Sequence, residues 1–450
     1  MNNVTVLSLF LALAACGHSL AVDGKKPNIV LIMADDFGYE CLAANGGESY
    51  QTPNLDRLAA EGMRFENCYV QPVCTPTRVE LMTGMSNVRN YIQFGLIDRD
   101  ATTFAHLLKQ AGYATGIAGK WQLGRGKRLP QRLGFDEACL WQHTRRPPRF
   151  ANPGLEYNGE ERNFANGEYG PDLVNEFALD FVTQHKDGPF LLYYPMLLTH
   201  APFQPTPDSA DWDPQAMGEK INRSDKHFAD MTAYMDKLVG RLVARLDELQ
   251  IRDNTLVIFL GDNGTAKSLT SQFKGQPYQG GKGTVNARGT HVPLIANWPG
   301  HVPAGKVNAD LIDSTDFLPT LCAAAGVEVP ESLTIDGQSF WPQLMGEPGQ
   351  PREWRYAWYS QDGGPKATHE FAMSTRHKLY RNGRLFDLSA DPFEERPIAP
   401  ADRSPADVAA GETLQAALDQ YADARPEHLR QPAPPRARVG GARRSAERRR

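Results

Sequence analysis

The sequence predicts an α/β protein: a large mixed, mostly parallel sheet flanked by helices, with a smaller C-terminal antiparallel sheet plus helix. Three observations predict it. Continuous apolar runs of strand length alternate with segments of helical periodicity, the pattern of a parallel sheet covered on both faces. Several of those runs end in acidic, amide or basic residues, where open α/β sheets place their chemistry. From about Trp354 the pattern changes to short strands separated by turns.

The elements follow in order. Val4 to Ala15 is an apolar stretch too short to span a bilayer and reads as an export signal. It ends in Leu13-Ala14-Ala15-Cys16, similar to a lipobox, while Ser19-Leu20-Ala21 offers an ordinary cleavage site instead. Residues 1–21 are therefore expected to be a signal segment on a periplasmic or secreted chain. A lipid on Cys16 is the one membrane attachment the sequence offers. Asn28 to Met33 reads as a buried strand ending in Ala34-Asp35-Asp36, and Thr52 to Ala60 as a helix with Pro53 in its first turn. A helix over Thr102–Ala111 precedes a strand over Tyr113–Ala118. A helix over Pro171–His185 precedes a strand over Phe190–Met196. A long amphipathic helix, Lys226 to Leu249, leads to a strand over Thr255–Leu260 that stops at Gly261-Asp262-Asn263-Gly264.

These elements belong to a catalytic body over residues 25–350. Strands at Tyr356–Tyr359, Glu370–Thr375, Lys378–Tyr380 and Leu385–Leu388, with a turn at Asn382-Gly383, and a helix over Pro405–Tyr421 make a C-terminal subdomain over 351–425. Residues 426–450 read as a disordered basic tail, because Arg436 to Arg450 holds seven Arg and one Glu after a Pro-rich run.

Composition narrows the function. Across 450 residues the net charge is −5, so the fold as a whole is not built to bind nucleic acid. The 40 Gly and 33 Pro imply shaped loops rather than disorder in a chain that is otherwise 41% hydrophobic. Apart from Cys16 and Cys74, the cysteines are Cys41, Cys68, Cys139 and Cys322. None forms a CxxC pair, which argues against zinc; an oxidising compartment would allow one or two disulfides.

Asp35, Asp36, Asp262 and Asn263 stand at the ends of two separate apolar strands and offer only oxygen donors. That set selects calcium or magnesium over zinc or copper. Cys74-Thr75-Pro76-Thr77-Arg78 places a cysteine just before a helix, with an arginine nearby. It reads either as an electropositive reactive site or as a small buried cysteine beside a surface ion pair. Lys120 ends another strand, and His200 follows another within Leu198 to Phe203. The loop Trp141 to Phe150 is basic and aromatic, suited to anionic sugars or simply solvated.

Cys74-Thr75-Pro76-Thr77-Arg78, continued to Thr83-Gly84, resembles the signature of the sulfatase family, whose cysteine is oxidised to formylglycine. Gly119 to Gly124, Gly261 to Gly264 and Gly280-Gly281-Lys282-Gly283-Thr284 resemble later motifs of that family. Leu385 to Pro392 resembles its C-terminal hairpin. The resemblance runs in order over about residues 27 to 400. It implies an alkaline-phosphatase-like fold and hydrolysis of a sulfate ester of a sulfated saccharide or other small molecule. It also implies a formylglycine-generating or anaerobic maturation enzyme as a partner. Asp35, Asp36, Asp262 and Asn263 would hold calcium, with the modified Cys74 as both metal contact and nucleophile. Arg78, Lys120, His200 and Lys282 would surround sulfate.

Two positions depart from the pattern. Gln122 stands where the family usually has His, and Ala287 to His291 replaces the usual sequence after Lys282, so His291 is a candidate replacement base or a packing residue. Two other readings stay open: a phosphodiesterase or phosphonate-ester hydrolase of the same superfold, and a non-catalytic, calcium-dependent binder of anionic glycans.

Overall fold

The computed structural model describes residues 25–216 and 225–431. The expected leader, and the tail from Pro432 onward, lie outside the described residues. The first strand, Asn28–Ala34 (β1), is buried at every position. After helix Pro53–Ala60 (α1) come Met63–Tyr69 (β2) and helix Cys74–Thr83 (α2). The strands then run Ala114–Lys120 (β3), Glu137–Trp141 (β4), Gly154–Tyr157 (β5), Glu160–Asn163 (β6), Phe190–Pro195 (β7) and Thr255–Gly261 (β8). They continue with Thr270–Phe273 (β9), Gln276–Gln279 (β10), Leu294–Asn297 (β11) and Lys306–Asp313 (β12).

Ten of these strands form one sheet in the order β12-β2-β11-β8-β1-β7-β3-β4-β5-β6. The central strands β8, β1, β7, β3 and β4 are mutually parallel. Of the ten, β11 and β5 run opposite to the rest. A mixed, mostly parallel sheet is therefore what the alternating pattern produces.

Strand geometry divides the core. Ile29, Leu31 and Met33 join one apolar layer, while Val30, Ile32 and Ala34 join the other. Successive side chains point to opposite faces, so a strand apolar at every position is what a two-sided core requires. Each buried Ile, Leu or Val contributes about 1.5–3 kcal/mol. The Phe104–Gln110 and Phe317–Ala324 helices supply Phe104, Leu107, Phe317 and Leu321 to the first layer. The Gly170–Gln184 and Phe228–Glu248 helices supply Val174, Leu238 and Leu242 to the second.

The C-terminal sheet comprises Arg355–Tyr359 (β13), His369–Met373 (β14), His377–Tyr380 (β15) and Leu385–Asp387 (β16), all antiparallel. Helix Pro405–Asp419 packs on it, started by a capping box between Ser404 and Asp407. Buried Arg355 pairs with Asp313 at the end of β12 and ties this sheet to the large one. Cys41, Cys68, Cys74, Cys139 and Cys322 are all buried and free, so the disulfides an oxidising compartment would allow do not form among the described residues.

Candidate active site

The sheet brings the polar strand ends together. Ala34 pairs with Gly261 across β1 and β8, which sets Asp35 and Asp36 beside Asp262 and Asn263. The neighbouring β7 and β3 deliver His200 and Lys120 to the same edge. Lys120 needs Gly119 before it. Gly119 has φ +129°, and a Cβ there would lie 1.8 Å from the Pro195 carbonyl oxygen.

The carboxylates are buried and individually held. Lys120 Nζ donates to both oxygens of Asp35 at 2.7 and 2.8 Å. Lys282 Nζ donates to both oxygens of Asp36 at 2.5 and 2.6 Å. Asp262 accepts from the Asp36 backbone N–H and from Arg78 Nη2, both at 3.0 Å. Asn263 Nδ2 donates to Asp36 at 2.9 Å, while Asn263 Oδ1 is buried without a hydrogen-bond partner. Asp36 holds φ at 62°, a strained value for a residue with a side chain.

Charge follows geometry. Burial alone would raise Asp35, but Lys120, then His200, Arg78 and Lys282, hold it well below the usual carboxylate range. Burial likewise acts against Asp36, and His200 with Lys282 overcomes it. Burial, reinforced by the Asp35 charge, pushes Asp262 up to about 7 despite Arg78. Each of the three carboxylates thus faces one cation, and Asp262 alone of the three is left above its ordinary value, chiefly by burial.

Cys74 opens α2, a helix buried at every position and stopped by Gly84 in the left-handed region. Sγ of Cys74, a carboxylate oxygen of Asp35 and one of Asp262 all lie within 4.8 Å of one another. The thiol donates to Gln122 Oε1 at 3.0 Å. Burial raises the Cys74 thiol above its ordinary value against the pull of Lys120, so it is protonated and weakly nucleophilic as it stands. His200 Nε2 lies 3.8 Å from Asp36, and its Nδ1 donates to the Ala201 carbonyl. Burial lowers His200 to about 3 although Asp36 opposes the shift.

The structure thus gathers every sequence-predicted site residue except His291. That ring is stacked between Tyr39 and Tyr69, with centroids 3.9 and 4.7 Å away, and its Nε2 lies 2.7 Å from the Glu66 carbonyl oxygen. Of the two roles open to it, packing is the one observed; no contact joins it to Cys74 or Gln122 among the described residues. Burial lowers it to about 4 from 6.5. The unfolded chain therefore takes up the proton first. Stability that is complete above about pH 6.5 should fall as pH drops toward 4, by up to about 3 kcal/mol from this residue. Urea unfolding of wild type and His291→Phe at pH 7 and pH 4.5 checks this. A pH dependence identical in the two proteins would show that His291 carries no such linkage.

The loop from Trp141 to Phe150 divides. Trp141 and Arg149 are buried, with the guanidinium 4.5 Å from the ring centroid, so neither presents a sugar platform. Arg145 and Arg146 remain at the surface of a cleft that reaches Gln122.

Sequence reasoning missed the support behind the acids. Thr265 Oγ1 accepts from the Gly38 backbone at 3.1 Å and donates to buried Glu40, clamping the turn after Asp36 to the turn after Asn263. It also missed Arg99 and Arg125 beside Gln122, although the run Gly124-Arg125-Gly126-Lys127-Arg128 was a signal for the latter.

Comparison with known proteins shows the family. A family model described as sulfatase matches residues 27–327, and one described as N-sulphoglucosamine sulphohydrolase, C-terminal, matches residues 282–421. The chain is 34% identical to arylsulfatase A of Homo sapiens over 86% of its own length and 85% of that protein's. It is 34% identical to N-acetylgalactosamine-6-sulfatase of Mus musculus, over 75% of this chain and 70% of that one. Among solved structures it is similar to Ps i-CgsB in complex with k-i-k-neocarrahexaose. That match has 27% identity and a TM-score of 0.76, and covers 91% of this chain and 95% of the other.

Proposed function

Because the chain belongs to the sulfatase family and is a sulfuric ester hydrolase, we propose that it hydrolyses a sulfate ester of a carbohydrate with a nucleophile made from Cys74. The observation that carries this reading is the grouping of Cys74, Asp35 and Asp262 within 4.8 Å at the start of a buried helix, ringed by Arg78, Lys120 and Lys282. Relatives named N-acetylgalactosamine-6-sulfatase and a neighbour solved in complex with k-i-k-neocarrahexaose favour a saccharide.

Calcium suits the donors. All are oxygens, and one of them is the buried Asn263 Oδ1, which has no hydrogen-bond partner among the described residues. Asp35, Asp36, Asp262 and Asn263 would hold the ion, which when bound would withdraw negative charge from sulfate oxygens. Formylglycine at Cys74 would supply the oxygen nucleophile that an inert, protonated thiol does not. Arg78 fixes Asp262 and reaches the Lys120 carbonyl at 2.9 Å, so it orients the base of the site. Lys120 and Lys282 place fixed positive charge beside Cys74, where developing negative charge on sulfate needs it. As the formylglycine oxygen bonds to sulfur, the sulfur–oxygen ester bond would break with its electrons on the alcohol oxygen, which would take a proton from the Lys282 ammonium, because His200 is neutral and its N–H is given to the Ala201 carbonyl.

The test is peptide mass spectrometry at Cys74 after expression with a maturation enzyme, paired with hydrolysis of an aryl sulfate. Conversion without sulfate release, or faster cleavage of a phosphonate ester than of the sulfate, would overturn the reading.

Gln122 makes one step distinctive. Its carboxamide accepts from Cys74 but exchanges no proton near neutral pH. Sulfate release should therefore limit turnover, giving a burst of alcohol before a slower steady rate. Gln122→His should raise that steady rate by about 10²-fold, the lower end of general-base assistance. Absence of a burst together with an inactive Gln122→His would mean that the site is rebuilt around the carboxamide.

A further inference from the structure

Beside Gln122 the surface opens into a cleft of about 590 Å³. Both of its walls attach to the turn that carries the proposed nucleophile: Gln122 accepts from Cys74, and the Gly95 backbone donates to Thr75 Oγ1 at 3.1 Å. Four guanidinium groups line it, from Arg99, Arg125, Arg145 and Arg146, and no carboxylate does. Arg145 is balanced by Glu161 at 3.1 Å. Arg99, Arg125 and Arg146 are exposed and make no ion pair with any described residue.

The backbone beneath these charges is pinned. Trp121 Nε1 donates to the Gly124 carbonyl at 2.8 Å, and buried His143 bonds the Gly126 carbonyl through Nε2 at 2.7 Å, so Arg125 sits between two anchored residues. Trp141 Nε1 holds the Pro147 carbonyl at 2.9 Å, next to Arg146, and Arg132 Nε holds the Arg99 carbonyl at 2.9 Å. A solvated face ordinarily intersperses acids with bases. Like charges grouped in a concavity on a fixed frame repel one another until an anion joins them. Guanidinium forks match the oxygen pairs of sulfate, and holding them in place lowers the entropy lost when they engage.

We propose that this cleft is a second anion subsite, reading at least one sulfate on the substrate besides the one cleaved. The inference rests on the sulfatase reading and narrows its substrate to polysulfated oligosaccharide. The cleft meets the site at Gln122, so a sugar chain whose scissile sulfate lies against Cys74 would carry its next anionic groups along the arginines.

Binding separates this proposal from the reading beneath it. In calcium, Cys74→Ala protein should bind a heparin-derived hexasaccharide, measured by calorimetry, with an affinity that declines as salt rises. Adding Arg99→Ser and Arg146→Ser should raise Kd about tenfold and flatten the salt dependence. These side chains are exposed, and an unchanged melting temperature shows that the fold is kept. In matured enzyme the same pair should lower kcat/KM for the hexasaccharide about tenfold relative to that for 4-methylumbelliferyl sulfate. A change in Kd under threefold, or no hexasaccharide binding by the Cys74→Ala protein, overturns the subsite. Failure of matured wild type to release sulfate from both the hexasaccharide and 4-methylumbelliferyl sulfate would instead overturn the sulfatase reading, and the binding result would stand apart from it.

Discussion

Replacing Cys74 with alanine is expected to lower kcat/KM for an aryl sulfate by about 10⁴-fold or more, the scale on which enzymes lose a covalent nucleophile. The fold should survive, because the substitution removes one sulfur from a buried helix start and costs about 1 kcal/mol in packing. Arg78, Lys120 and Lys282 keep their carboxylate partners in the variant, since none of them is held by the thiol. Circular dichroism and melting establish the fold, and steady-state hydrolysis reads the loss. Activity within tenfold of wild type would remove Cys74 from the reaction. Cys74→Ser should be inactive from a host whose maturation enzyme accepts only cysteine.

The second large effect concerns Asp262. Alanine there removes one oxygen donor and the acceptor of both Arg78 Nη2 and the Asp36 backbone. A buried guanidinium that loses its partner costs about 3–5 kcal/mol. Ligand binding adds further stability by mass action, about 2.7 kcal/mol at a hundredfold excess over Kd. Wild type should therefore melt higher in calcium than in EDTA and lose activity in the chelator, whereas Asp262→Ala should melt low in both and be inactive. Asp262→Asn keeps the hydrogen-bonding shape and separates the loss of charge from the loss of packing. A wild-type melting temperature and activity indifferent to EDTA would exclude the oxygen-donor metal site.

Much of this was legible because the central strands are buried on both faces. Asn28–Ala34, Phe190–Pro195 and Thr255–Gly261 have to be continuous apolar runs, and their ends have to carry the polar residues the sheet edge uses. The outer strands were not legible. Met63–Tyr69 mixes Arg, Glu and Asn with apolar residues, Lys306–Asp313 is exposed over its first half, and Leu294–Asn297 spans only four residues. Their pairing is decided by neighbours distant in sequence rather than by local pattern. The site divides in the same way. Motif residues announced Cys74, Asp262 and Lys282. His291, by contrast, sits near a motif in sequence while its environment is two tyrosine rings, Tyr39 from the helical turn after β1 and Tyr69 from β2. The pairing of Lys120 with Asp35 depends on the strand order, and that of Lys282 with Asp36 on the loop that follows β10; no local spacing encodes either.

The position of β1 in the sheet also has a consequence for how the chain comes to be assembled. This strand emerges before both of its neighbours, Phe190–Pro195 and Thr255–Gly261. Until residue 261 has been made, one edge of Asn-Ile-Val-Leu-Ile-Met-Ala has no partner for its amides and carbonyls. Seven apolar-rich residues with high strand propensity and no charge are the kind of segment that pairs with other chains when left open. Closing long sequence separations of this size makes for slow folding. The yield of native protein should therefore depend on chain concentration during refolding. Its sensitive stretch is Asn28–Ala34, the same strand that later anchors Asp35 and Asp36.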